Sequence, residues 1–347
     1  MRQNILKNKR LLMIVLFILL FFTSLRIGAV SNVTFINLLK GNKLAWTILM
    51  SSRLPRTLAI ILAASGLSVA GLIMQSISRN KFMSPSTAGA TNAAGLGIII
   101  AFITLSTQSG IIQTIFAFCF SLVSTLLFTS VINRIHVRDV VYIPLIGMMY
   151  GGLISSITTL LAYQFDVMHM MQTINNGSFA RVGSYGMIYI IAIPLILAVI
   201  YSSKFSIIGL GEDFSKNLGL NYNRVVFLGL VIIALVSAAS FTAVGPLPFI
   251  GLIIPNMTAS FYGDNIKKTI IDLMLFGINF VFVCDIISRL IIFPFEMSVS
   301  LTISIIGGVI FMFYVIANIK RKNKSQIQSN DKLISRKNDK EPQIAHD

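Results

Sequence analysis

Apolar residues run along this chain in long uncharged blocks, without the strict alternation of a strand. Ten blocks stand out, at approximately 11–29, 57–77, 91–106, 110–132, 140–162, 186–203, 225–244, 249–262, 269–289 and 300–318. Inside a lipid bilayer only helices and closed barrels satisfy their own backbone polar groups. The blocks lack the dyad alternation of barrel strands, so the pattern predicts an all-α integral membrane protein of about ten transmembrane helices. Several blocks are shorter than the ~20 residues of a simple span. Block 249–262 in particular is expected to be a half-span buried against protein.

Composition agrees. Of 347 residues, 55% are hydrophobic and 12% charged, and mean hydropathy is +0.83, whereas a soluble domain carries about 25% charged residues. The net charge of +16 gains meaning from its placement. Lys and Arg sit in short connections and in the C-terminal tail, rather than on one soluble face as in a nucleic-acid binder. With the N-terminus placed inside, inner connections and ends hold 21 basic residues against 7 outside, or 13 against 7 without residues 320–347. The positive-inside rule then puts both termini in the cytoplasm. Residues 1–319 read as one transmembrane domain. The polar tail 320–347 is expected to be disordered, with its leading KRKNK a stop-transfer anchor or a site for anionic lipid. MRQNILKNKR before LLMIVLFILLFF imitates a signal peptide, but more spans follow, and it reads as an uncleaved first helix.

Little covalent chemistry is visible. The chain has no GxxxxGK[ST] phosphate loop, HExxH or GxSxG. Cys119 and Cys284 lie in apolar blocks, as packed small hydrophobes do. His136, His169 and His346 have no evident ligand partners, so the Met168–Met171 stretch with His169 reads as an amphipathic outer turn rather than a metal site. Only Asp272 and Asp285 fall within an apolar block, which argues against a stand-alone secondary transporter. The lack of clustered His, Asp and Glu argues against a membrane-embedded enzyme. Ala59, Ala63, Gly66 and Ala70 share one helix face and suit close helix packing in lipid. The long inner segment 204–224 holds a short helix that Glu212 and Asp213 open and Gly219 closes, either a plain surface helix or a docking element. One stretch runs against the charge bias: SSRLPRT, 51–57, places Arg53 and Arg56 at the outer face.

The chain resembles the FecCD family, the permease subunits of ABC importers for iron–siderophores, haem and vitamin B12. The likeness rests on RLPRTLAIILAASGLSVAGLIMQSISRNKFMSPSTAGATNAAGLG (53–97), LGEDFSKNLGLNYNR (210–224), AVGPLPFIGLIIPN (243–256) and DIISRLIIFPFEMSVSLTISIIGG (285–308). It implies a ten-helix permease, paired with itself or a sister subunit, with the pathway on the dimer axis. It also implies a cytoplasmic ATPase dimer that holds ATP and Mg, so this chain binds no cofactor or metal and is not itself an enzyme. An extracytoplasmic binding (lipo)protein would dock on Arg53, Arg56 and Arg289. The ATPase would contact Gly211, Glu212, Asp213, Lys216, Leu218 and Gly219. Gly89, Asn92, Gly95 and Gly97 are candidates for the pathway, and Arg181 for attracting an anionic ligand. RNKFMSPSTAGAT (79–91) looks most like permeases for catecholate-type siderophores, including petrobactin-like importers. Two departures weaken transfer of cargo: Asn256 stands where many relatives have His, and QTINN (172–176) where a Trp is common. Haem, vitamin B12 and bare metal ions therefore stay open as cargo. The implied location is the bacterial cytoplasmic membrane.

Overall fold

A computed structural model describes residues 2–28, 40–106, 109–134, 142–182, 188–263 and 265–317. The basic stretch around His136 and the tail 320–347 lie outside the described residues. All ten apolar blocks are helical where described. The helices are α1 (Arg2–Arg26), α2 (Lys43–Ile48), α3 (Leu54–Ser78), α4 (Ala90–Leu105), α5 (Gly110–Arg134), α6 (Tyr142–Gln164), α7 (Met168–Asn175), α8 (Ala192–Ile200), α9 (Ser202–Ile208), α10 (Glu212–Asn217), α11 (Tyr222–Val244), α12 (Ile250–Tyr262), α13 (Ile266–Leu290) and α14 (Val299–Ala317). Among the described residues, six helical stretches are long and apolar enough to cross a membrane. A seventh is added if Tyr189–Ile200 and Ser202–Ile208, bent by 64°, form one broken span.

The second apolar block differs from its sequence reading at its start. The helix begins at Lys43 and runs to Ser78 through a π-helical turn, Leu49–Arg53. Arg53 and Arg56 therefore lie within a continuous helix, not in a connection. Pro55 supplies the physical reason for the π turn. It has no N–H to donate one turn back, and its ring would crowd a regular α-helical carbonyl. The widened turn absorbs this, with the Leu54 N–H donating to the Leu49 carbonyl five residues earlier, a common device for an extra residue within a helix.

Helix α3 forms the centre of the bundle and packs on α11, α12 and α13. Its small-residue face is fully covered, with Ala59, Ala63, Gly66 and Ala70 all buried. The reverse side is as tight. A methyl group on Gly71 would collide with the backbone of Gly251 in α12, and one on Gly277 in α13 with Ser68. Pro255, inside α12, cannot donate to the Gly251 carbonyl, and it is this carbonyl that abuts Gly71. With 13 residues, α12 is ~20 Å long, too short for a ~30 Å hydrocarbon core, and its first nine residues are almost all buried. Asn256 secures it by donating from Nδ2 to the Lys81 and Leu252 carbonyls, each at 2.7 Å.

In contrast, α5, α6 and α14 are covered on one side only, and most of each apolar span is uncovered. The expected half-span is thus central, while three full-length helices leave faces for lipid or a further subunit.

The α3–α12 contact sets a testable limit. Gly71→Ala should lower stability by ~1–3 kcal/mol or more, because backbone faces backbone and cannot yield. Gly308→Ala, where a methyl meets nothing within 4 Å, should be near neutral. Thermal unfolding of the two variants in detergent would check the ranking.

Candidate functional site

At the end of the bundle that the charge bias assigns to the outside, the last turn of α1 leaves carbonyls without intrahelical donors. Two guanidinium groups fill this gap. Arg53 donates from Nη1 to the Leu25 and Arg26 carbonyls at 2.7 and 2.8 Å. Arg289 donates from Nη1 to the Ser24 and Ile27 carbonyls at 3.1 and 2.9 Å, and from Nη2 to the Ser24 hydroxyl at 2.9 Å. Cations at a helix C-terminus also suit its dipole. Arg53, Arg56 and Arg289 are all buried.

Buried charge requires a counter-charge, and Asp285 provides it. Its side chain is fully buried and accepts from both Arg56 and Arg289. Arg56 reaches it through Nη2 at 2.7 Å and Nε at 3.3 Å. The remaining edge of Arg56 is taken by Glu296, whose two oxygens accept from Nη1 at 2.9 and 2.7 Å. Arg56 and Arg289 thus share Asp285, Arg56 also takes Glu296, and Arg53 joins Arg289 on the end of α1, so that the group ties together α1, α3, α13 and the α13–α14 link. The sequence reading picked out the three arginines but not Asp285 and Glu296 as their partners. The available signal was the i, i+4 spacing of Asp285 and Arg289.

At the opposite end, Arg10 grips Asp272 through Nε and Nη2, both at 2.7 Å. Arg10 is half-exposed, whereas Asp272 is buried. Both acids of the apolar blocks are therefore ion-paired, one at each end of α13.

Helix α10 forms as its sequence suggests. Gly211, at φ +116°, precedes it, and the Arg79 guanidinium lies close against that glycine. Glu212 and Asp213 occupy the first turn. Glu212 pairs with Lys216 at 2.8 Å, and this hydrogen bond pushes the Lys216 ammonium above its ordinary value. The helix ends in a Schellman arrangement: Leu220 N–H donates to the Ser215 carbonyl and Gly219 N–H to that of Lys216, with Gly219 at φ +76°. Ser215 is buried, and its hydroxyl ties the helix down through the Gly211 and Ile207 carbonyls. On the open side Leu210, Phe214 and Leu218 are all more than half exposed. Phe214 and Leu218, four residues apart, share one face of α10, and exposed Leu210 precedes the helix across Gly211, so that the three form the apolar ridge of this segment. Of these, only Leu218 was picked out from sequence; the spacing was there to be read.

The four pathway candidates lie on or before α4 and face neighbouring helices. Gly89, at φ +76°, lies under the Tyr150 ring. Asn92 donates to the Gly151 carbonyl at 2.7 Å. Gly95 faces Phe241, and Gly97 the backbone of Phe116 and Ala117. Through Tyr150 and Gly151 this row backs α6. The open side of α6 carries a stripe of Gly152, Ser155, Ser156, Thr159 and Tyr163 among exposed Leu145, Met148, Met149, Leu153, Ile157 and Leu160. Arg181 donates to the Thr173 and Ile174 carbonyls at 2.9 and 3.4 Å, capping α7. His169 is exposed, and among the described residues no group of His, Cys, Asp and Glu is arranged to hold a metal.

Fold and site together define a class: a polytopic helical membrane protein, with ion-paired ends, an apolar ridge on a short end helix and a stripe of small polar residues on one open helix. The chain belongs to the FecCD transport family, whose model matches residues 11–317. It is 43% identical over 305 residues to the petrobactin import system permease protein YclN of Bacillus subtilis (strain 168), covering 87% of this chain and 96% of that one. It is 36% identical over 310 residues to the ferric-anguibactin transport system permease protein FatD of Vibrio anguillarum, covering 89% and 98%. The fold matches a solved inward-facing metal-chelate type ABC transporter with a TM-score of 0.74 at 22% identity, covering 88% of this chain and 97% of that one.

The outer cluster yields a ranking of stabilities. Asp285→Asn strands two buried guanidinium groups and should cost ~3–5 kcal/mol. Asp272→Asn should cost less, because half-exposed Arg10 can rehydrate. Thermal unfolding in detergent of the two variants tests the order.

Proposed function

We propose that this chain is the membrane-spanning subunit of an ATP-driven importer for an iron–siderophore, of catecholate or petrobactin-like type. The observation that carries this reading is the near full-length likeness to a permease named for petrobactin import. A second likeness, to a permease named for ferric anguibactin, supports an iron–siderophore over haem, vitamin B12 or a bare metal ion.

In this reading the chain performs no covalent chemistry and binds no cofactor. ATP and Mg belong to a separate cytoplasmic ATPase pair, consistent with the absence of a phosphate loop here. Both termini and α10 face the cytoplasm. The ATPase packs on the Leu210, Phe214 and Leu218 ridge, with Glu212, Asp213 and Lys216 at its polar border and Gly211 and Gly219 shaping its two ends. An exposed apolar ridge beside charged residues is the usual composition of a docking surface. Its burial by one nucleotide state of the ATPase more than another shifts the permease between outward and inward access.

A second permease, identical or homologous, faces the polar stripe of α6. The siderophore passes between the two, with Gly89, Asn92, Gly95 and Gly97 setting the position of that wall from behind. An extracytoplasmic binding protein docks over the cluster of Arg53, Arg56 and Arg289. Guanidinium groups there favour carboxylates on the partner and act on encounter and register.

Uptake of radio-iron tests the assignment. Cells lacking this gene should lose uptake of one siderophore class, regained with the wild-type gene, while haem and vitamin B12 uptake stay unchanged. Loss of haem or vitamin B12 uptake instead would reassign the cargo. The paired change Phe214→Ala with Leu218→Ala should leave membrane abundance and thermal stability unchanged. It should lower uptake at least tenfold and abolish co-purification with the ATPase; normal uptake would remove the ridge from the coupling role.

A further inference from the structure

The three outer arginines are not equally available. Arg53 donates to the α1 carbonyls, and Arg289 is held by α1 and Asp285. Arg56 is anchored on one edge by fully buried Asp285. Its other edge, Nη1, meets Glu296, and that side chain is 29% exposed, against 0–10% for Asp285, Arg56 and Arg289. Glu296 also closes a link that the rest of the chain leaves uncovered: Leu290, Ile291, Ile292, Phe293 and Phe295 are exposed by 47–76%.

We propose that Glu296 is a built-in competitor for the docking partner. The side chain occupies on Arg56 the place that an acidic side chain of an extracytoplasmic binding protein takes on docking. This inference rests on the docking reading above and deepens it. The occupant is a protein surface carrying a carboxylate ringed by apolar residues, for two reasons. Glu296 already shows that this edge of Arg56 is matched by a carboxylate, whose two oxygens accept from Nη1. The apolar side chains of the link surround the exchange point and offer surface to bury around it.

The chemistry of exchange is symmetrical. One carboxylate replaces another on the same guanidinium edge, so the gain and loss of charge-assisted hydrogen bonds nearly cancel. Arg56 stays oriented throughout, because Asp285 holds Nε and Nη2. Docking is then reversible, and its strength is set by how well Glu296 competes. Such a device lets the partner leave after delivering its cargo.

The experiment uses the permease reconstituted with its ATPase in lipid nanodiscs. The probe is the purified binding protein of the same importer, loaded with the ferric siderophore that the uptake assay identifies. Glu296→Gln keeps the shape and removes the competing charge. Its Kd should fall three- to tenfold, and its affinity should depend more steeply on salt than that of the wild type. Phe293→Ser with Phe295→Ser, at exposed positions that leave the fold intact, should weaken docking at least tenfold. If Glu296→Gln binds unchanged or more weakly while Arg56→Lys weakens docking, the competitor role is overturned and the docking reading stands. If Glu296→Gln, Arg56→Lys and the paired Phe change all bind as the wild type does, the docking reading falls, and the competitor role with it. Should Arg56→Lys fail to fold, Glu296→Gln decides alone: tightening supports the competitor, and any other result overturns it.

Discussion

A guanidinium buried in a membrane bundle must be neutralised and fully hydrogen-bonded, or the bundle does not form. The outer end of this protein is organised by that requirement. Asp285 sits between Arg56 and Arg289, and Arg53 and Arg289 donate to the last carbonyls of α1. Those carbonyls have the opposite need, since a helix end lacks donors of its own. Two costs that would each be several kcal/mol in isolation offset one another. The result fixes α1 against α3 and α13 at one end, and Arg10 with Asp272 does the same at the other.

Between these two clamps, packing in lipid rests on contact rather than on the hydrophobic effect, because lipid tails are as apolar as the side chains they touch. The centre of the bundle accordingly uses glycine and alanine. Gly71 brings the α3 backbone against that of Gly251, and Gly277 leaves room for the Ser68 side chain. This central unit of α3, α11, α12 and α13 is tightly covered. Coverage stops at the ridge of α10, the stripe of α6 and the link after α13, the surfaces on which the proposed contacts fall.

The two ends differ in how they are built. The α10 ridge is apolar, short and locked by its own caps. The outer cluster is charged and internally paired. The positive charge that seemed misplaced on the outer face is thereby explained twice over. It caps a helix end, and it is paired with buried Asp285 and with partly exposed Glu296.

The sequence alone determined the helical class, the ten apolar blocks, the half-span at 249–262 and the short capped helix from Glu212, because each depends on neighbours within a few turns of chain. The motifs at 53–97, 210–224, 243–256 and 285–308 were enough for the family. Tertiary structure decided the rest. Arg56 and Asp285 are 229 residues apart in the chain, and nothing in local spacing pairs them. The same holds for Arg53 with the end of α1, and for Gly71 with Gly251. Whether an arginine on a membrane protein's rim is a free charge, a helix cap or half of a buried pair depends on which helix ends the bundle brings beside it. Periodicity and composition describe one helix at a time, whereas ion pairs and backbone contacts belong to two.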